Sequence, residues 1–106
     1  MADWIDVAPA DEFKPGTWHV VGEASAPIAV FNVAGHYYAV EDLCTHDGGE
    51  LAGGEIEGTE VICPRHGARF CLRTGTALTP PAYDPIEIFP TRIVDGMVQV
   101  RDDRWD

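Results

Sequence analysis

No run of this chain approaches the roughly 18 consecutive apolar residues that a membrane span requires, so no membrane-embedded segment is expected. Positive charge is scarce. Seven Lys and Arg against eighteen Asp and Glu leave a formal net charge of −11. A surface of that sign is a poor match for nucleic acid or anionic lipid. The acidity either keeps the chain dispersed or faces a basic patch on another protein. Cysteine is also scarce, and the total of three is odd, unlike a secreted disulfide framework. The opening Met1-Ala2-Asp3-Trp4-Ile5-Asp6 is acidic and lacks a cationic stretch leading into an apolar run. No signal peptide is therefore expected, and a cytoplasmic protein using cysteine for metal chemistry fits better. Repeats, low-complexity tracts and linkers are absent. At 106 residues, with 45% hydrophobic and 24% charged, the chain is expected to form a single domain over 1–106. A core of this size is modest, so a bound metal centre would add to its stability.

What is present is mostly strand. Thr17-Trp18-His19-Val20-Val21 and Ile28-Ala29-Val30-Phe31-Asn32-Val33 read as strands. His36-Tyr37-Tyr38-Ala39-Val40 follows Ala34-Gly35, which predicts a hairpin. Ile86-Glu87-Ile88-Phe89 and Thr91-Arg92-Ile93-Val94 flank Pro90, a residue that signals a sheet edge or a bulge. Asp95-Gly96 then turns the chain into Met97-Val98-Gln99-Val100-Arg101, because both positions of a two-residue hairpin turn need positive φ. Asp11-Glu12-Phe13, stopped by Lys14-Pro15-Gly16, leaves room for at most a turn or two of helix. The outer portions, about 1–40 and 86–106, are thus expected to build an all-β, antiparallel sandwich or barrel.

The middle has a different character. From Cys44 to Gly75 the chain is glycine-rich and holds all three cysteines and two of the four histidines. Short strands are expected around Glu55-Ile56-Glu57 and Val61-Ile62-Cys63, in a small subdomain (about 41–83) inserted into the larger sheet. Two motifs lie here. Cys44-Thr45-His46 is C-x-H, and Cys63-Pro64-Arg65-His66 is C-x-x-H, with residues 47–62 between them. Each offers one thiolate and one imidazole from a tight loop. Gly48, Gly49 and Gly67 flank the loops, where positive φ or close backbone approach to a metal is needed. Backbone N–H groups in such turns stabilise negative charge on sulfur.

These ligand types, spacings and flanking glycines resemble the Rieske motif. The likeness extends over the flanking strands and the later Gly75 and Pro80-Pro81, essentially the whole chain. Size and segment order are most similar to the small Rieske ferredoxins of bacterial multicomponent ring-hydroxylating oxygenases. The resemblance implies a Rieske fold and one [2Fe–2S] cluster. Cys44 and Cys63 would bind one iron, and His46 and His66 the other. It also implies a monomeric one-electron carrier, itself not an enzyme, between a flavin-dependent reductase and a terminal non-haem iron oxygenase. Replacing two thiolates by neutral imidazoles makes the cluster less negative and easier to reduce than an all-cysteine one. Rieske proteins of respiration and photosynthesis carry an extra cysteine in each ligand loop, and the two form a disulfide. Gly49 and Arg65 resemble those positions here, so no such bridge is implied. Those proteins also carry a serine and a tyrosine hydroxyl near the cluster, where Ala68 and Phe70 stand here. Fewer hydrogen bonds to sulfur favour the oxidised cluster, so a potential at the low end of the Rieske range, roughly −150 mV, is expected.

Other readings of the same residues are less specific. Two cysteines and two histidines also satisfy tetrahedral zinc, although zinc fingers usually pair like with like in each knuckle. A small Rieske-like subunit of a reductase such as nitrite reductase is a further alternative, although members of that group often lack the ligands retained here. Cys71 is read as a small buried residue, and His19 and His36 as ordinary surface or half-buried positions. Trp4, Trp18, Tyr37 and Tyr38 are read as packing residues rather than an electron relay. Pro80-Pro81-Ala82-Tyr83-Asp84-Pro85 either covers one side of the cluster or merely leads back to the sandwich. Seven acids between Glu41 and Ile62 (Glu41, Asp42, Asp47, Glu50, Glu55, Glu57 and Glu60), followed by Arg65, Arg69 and Arg73, suggest either an acidic docking flank or a merely solvated surface. Weak, salt-sensitive contacts across such a flank would suit a shuttle. No open 2-His-1-carboxylate iron site of the kind that activates oxygen is evident.

Overall fold

The computed structural model describes residues 4–22, 27–44, 49–64, 67–80 and 82–103. Its elements run β1 (Trp4–Pro9), a short 3-10 turn (Ala10–Glu12), β2 (Trp18–Val21), β3 (Ile28–Val33), β4 (His36–Glu41), β5 (Ile56–Glu57), β6 (Glu60–Ile62), β7 (Arg69–Cys71), β8 (Ile88–Phe89), β9 (Thr91–Val94) and β10 (Met97–Arg101). They form three sheets in the orders β1-β10-β9, β2-β3-β4-β8 and β5-β6-β7. Every pairing among them is antiparallel. The all-β expectation is met.

β3 organises these sheets. Its Ile-Ala-Val-Phe run is buried throughout. Side chains alternate across a strand, so neighbouring residues serve opposite faces. Ile28 and Val30 join Val98 and Val100 of β10, Ala8 of β1 and Phe13 in one apolar cluster. Ala29 and Phe31 join Val61 of β6 and Phe70 of β7 in another. The four-stranded sheet is therefore the middle layer, with the β1-β10-β9 sheet on one face and the small β5-β6-β7 sheet on the other.

Local chemistry explains the connections. Asp95 and Gly96 take φ of 51° and 77°, the paired positive angles of a tight hairpin turn. Ala34 and Gly35 do the same at 53° and 90°. Pro90 lies between β8, at one edge of the middle sheet, and β9, at one edge of the outer sheet. There it needs no ladder N–H, and its carbonyl accepts Arg101 N–H at 3.2 Å. β1, not anticipated from the sequence, pairs with β10 through an irregular register between Asp6 and Ala8. Buried Asn32 ties the 3-10 segment to the β3–β4 hairpin. Its Nδ2 donates to Phe13 O at 2.6 Å, and its Oδ1 accepts Gly35 N–H at 2.9 Å. Both ends of the amide are thereby used, as a buried side-chain amide requires.

Ala34 holds a left-handed backbone that disfavours a Cβ. Ala34→Gly or Ala34→Asn should stabilise the protein by about 0.5–1 kcal/mol. In thermal unfolding followed by circular dichroism, the midpoint should rise by a few degrees. An unchanged or lower midpoint would show that Ala34 carries no strain.

Candidate metal centre

Each candidate ligand loop leaves the sheets at a buried cysteine. β4 ends at Glu41, and Cys44 follows three residues later, fully buried. β6 ends at Ile62, and Cys63 comes next, 1% exposed. The two loops close alike. Cys44 N–H donates to Gly49 O at 2.7 Å, and Cys63 N–H donates to Ala68 O at 2.7 Å. The intervals 44–49 and 63–68 each contain one histidine of the motif. Those residues, His46 and His66, lie outside the described residues, as do Asp47 and Arg65. Gly67 N–H also donates back to Cys63 O at 3.0 Å.

The structure brings the two thiols into one environment. Cys44 and Cys63 share an apolar cluster with Leu51, Ala68, Phe70, Leu72, Ala82 and Ile86. Neither is in a disulfide. Two thiols buried in the same apolar cluster on separate, equivalently closed loops suit a soft metal centre held by thiolate. Beside the second loop lies an open cleft of about 420 Å³, lined by Gly53, Gly54, Glu55, Ile62, Cys63, Pro64 and Gly67. The donor set available, two buried thiols with a histidine in each loop's interval, matches what a mixed Cys/His [2Fe–2S] centre takes.

Several residues fasten these loops. The Asp42 carboxylate, 9% exposed, turns inward. Its Oδ1 accepts Leu51 N–H at 2.7 Å and Ala52 N–H at 2.8 Å. Gly54 lies so close to β6 that a Cβ there would come within 2.2 Å of Ile62 O. Thr79 Oγ1 accepts Arg69 N–H at 3.0 Å, and Leu78 N–H donates to Arg69 O at 2.8 Å. Leu78 and Thr79, which lead into the proline-rich segment, are thus bonded to the strand that leaves the second loop. Ala82 and Ile86 then bury in the cysteine cluster, while Tyr83 between them is 80% exposed. Within the segment, Ala82 thus packs among the residues that surround the two cysteines, while Tyr83 faces away from them.

Sequence reasoning gave Asp42 no role beyond surface charge and passed over Gly54 and Thr79. No local signal marked Asp42, because the N–H groups it accepts lie nine and ten residues further along the chain. The acidic flank is also thinner than its composition suggests. Glu57 and Glu60 contact Arg69 at 3.0 and 3.4 Å, and only Glu50 and Glu55 of the described acids between 42 and 62 stand exposed without such a contact in view.

Cys71 departs from expectation. It is half-buried rather than buried. The Thr74 hydroxyl, the N–H groups of Arg73 and Thr74, and the Arg73 charge together hold its thiol below the ordinary range, against the opposing effect of burial. His19 and His36 are exposed, as expected of ordinary positions. His19 packs edge-on against Phe13, their ring centroids 4.5 Å apart. Trp18 is 45% exposed and lies beside Gly53 at the rim of the cleft.

The comparisons with known proteins agree with this geometry. Residues 3–90 match the family described as Rieske [2Fe-2S] domain. The chain is 36% identical over 98 residues to Ferredoxin CarAc of Metapseudomonas resinovorans, covering 92% of each protein. It is 35% identical over 100 residues to the anthranilate 1,2-dioxygenase ferredoxin subunit of Burkholderia cepacia, covering 94% of this chain and 93% of that one. Among solved structures, the complex of reduced oxygenase and oxidized ferredoxin in carbazole 1,9a-dioxygenase contains a chain that superposes with a TM-score of 0.87 at 35% identity, covering 92% of both. With two buried cysteines on matching loops and this similarity along most of its length, the chain belongs to the Rieske [2Fe–2S] domain family.

Proposed function

We propose that this protein is a one-electron carrier, taking an electron from a flavin-dependent reductase and passing it to a terminal non-haem iron oxygenase. Its cofactor is one Rieske-type [2Fe–2S] cluster. We assign the ligands as Cys44 and Cys63 on one iron, and His46 and His66 on the other. The observation that carries this reading is the pair of buried cysteines on loops closed by equivalent hydrogen bonds. When bound, the cluster supplies a centre that is reduced and reoxidised by one electron, with no bond made or broken in an organic substrate. The similarity to ferredoxin subunits of dioxygenase systems supports the carrier role over a catalytic one. No helix among the described residues is long and apolar enough to cross a membrane. We place the protein in the cytoplasm as a monomer, a single domain over 1–106 whose cluster-binding part spans about 41–83.

The chain's own contribution is to bury the cysteines, shape the loops and set the polarity around the cluster. Ala68 and Phe70 are fully buried in the cysteine cluster and have no hydroxyl to donate. An apolar surround leaves the added negative charge of reduction poorly compensated, which keeps the potential low. Exposed Glu50 and Glu55 near the loops suit a partner with a basic face and contacts that weaken with salt.

The ligand assignment is checked by metal analysis and EPR. The purified protein should hold two irons and two labile sulfides per chain and give a rhombic signal after one-electron reduction. Cys44→Ala, His46→Ala, Cys63→Ala and His66→Ala should each lower bound iron roughly tenfold or more, whereas Cys71→Ser should leave it unchanged. A colourless protein holding stoichiometric zinc would end this reading. In protein-film voltammetry the potential should lie near roughly −150 mV. Ala68→Ser and Phe70→Tyr should each raise it by on the order of 50 mV, the equivalent of about one hydrogen bond. A fall, or no change in either variant, would overturn the account of the low potential.

A further inference from the structure

We propose that Asp42 is a positioning residue that fixes the separation of the two ligand loops through a single oxygen atom, Oδ1. The proposal rests on the cluster assignment above and concerns how the chain holds that geometry.

Asp42 lies two residues before Cys44 and is nearly enclosed, 9% exposed. Its Oδ1 receives both Leu51 N–H and Ala52 N–H, so the side chain closes the base of the segment containing the first loop. Leu51 is fully buried in the cluster that holds both cysteines. Leu51 O accepts Gly54 N–H at 3.0 Å. Gly54 in turn lies against the Ile62 carbonyl, with no room for a side chain between them. Ile62 N–H donates to Glu55 O at 2.9 Å, and Cys63 is the next residue. From Asp42 to Ile62, each step is a hydrogen bond or a backbone contact. Asp42 Oδ1 is the one side-chain atom in this series, and it begins beside the first cysteine and ends beside the second. The later contacts are made by backbone atoms alone, with glycine required at position 54. The first needs an acceptor at this position on a short side chain.

Because both N–H groups converge on one oxygen, the acceptor matters more than the charge. Asn offers a carbonyl oxygen at the same reach, and Ala offers none. The two variants therefore separate placement from charge.

The test compares the holo forms of the wild type, Asp42→Asn and Asp42→Ala. The readouts are iron and sulfide content, EPR line shape, reduction potential, rate of bleaching by a chelator, and far-UV circular dichroism. Asp42→Asn should retain the wild-type cluster content and line shape. Asp42→Ala should bleach at least roughly tenfold faster, in line with losses on removing supporting groups behind metal ligands. Its EPR signal should broaden and its potential move, while the β-sheet spectrum is kept. The proposal is overturned if Asp42→Ala matches the wild type, or if Asp42→Asn is as damaging as Asp42→Ala. Loss of the β-sheet spectrum in Asp42→Ala would also overturn it, by making Asp42 a residue of the global fold. A wild-type protein without any cluster would instead refute the ligand assignment itself.

Discussion

Two-sided burial of β3 is the constraint on which the rest of the molecule depends. Most strands of a small antiparallel protein bury one face and leave the other wet. Here Ile28 and Val30 pack toward the outer sheet, while Ala29 and Phe31 pack toward the cysteines. Apolar area removed from water contributes about 25 cal/mol per Å², so a strand buried on both faces serves two cores with one backbone. It also explains how 106 residues support both a sandwich and a metal-binding layer. The metal site is not hung from the surface of a finished fold. Its floor is the reverse side of the middle sheet, and Val40 of β4 extends that floor beside Ala29 and Phe31.

This arrangement also sets the electrostatics of the centre. The chain is strongly acidic, yet the surroundings of Cys44 and Cys63 are apolar, built of Leu51, Ala68, Phe70 and Leu72. Much of the nearby acidity is committed elsewhere. Asp42 serves backbone amides, and Glu57 and Glu60 hold Arg69 across the small sheet. Such a partly exposed ion pair adds little stability, but it fixes the side chain on the strand that follows the second loop. The molecule thus separates two tasks. Under the proposed function, burial around the cysteines would govern how readily charge is added, and the exposed acids would meet the partner proteins.

Much of this was legible in the sequence because it depends on local rules. Asp95-Gly96 declared its turn, since few residue pairs accept two positive φ angles. Pro90 declared an edge, since it cannot donate to a ladder. The Cys44 and Cys63 motifs point to a metal site, since a thiolate and an imidazole so close together in each of two loops have few other uses, and the structure buries both cysteines in one cluster. What escaped depends on contacts distant in sequence. β1 has no strong alternation and exists because β10 offers it a partner. Asp42 looks like one acid among many until Leu51 and Ala52 arrive beneath it. Gly54 looks like loop glycine until β6 passes within contact of its backbone. Cys71 was misjudged for a related reason: its surroundings are set by the turn at Arg73 and Thr74, not by the apolar Phe70 beside it.

The adjacency of β4 and β8 has a consequence for chain entropy. Val40 pairs with Ile88, and Glu41 N–H donates to Glu87 O at 2.9 Å. Residues 42–87, which include both ligand loops, are therefore one long excursion whose ends meet. Closing a flexible loop of that length costs roughly 3 kcal/mol beyond the fixed term. With its ends already held by the paired strands, a metal centre held by Cys44 and Cys63, as proposed, would have only the shorter loops within the excursion left to order. The same topology makes the excursion a cover as well as a loop: Val61, Phe70 and Leu72 within it lie over Ala29, Phe31 and Val40, so its closure at β4 and β8 also seals the reverse side of the middle sheet.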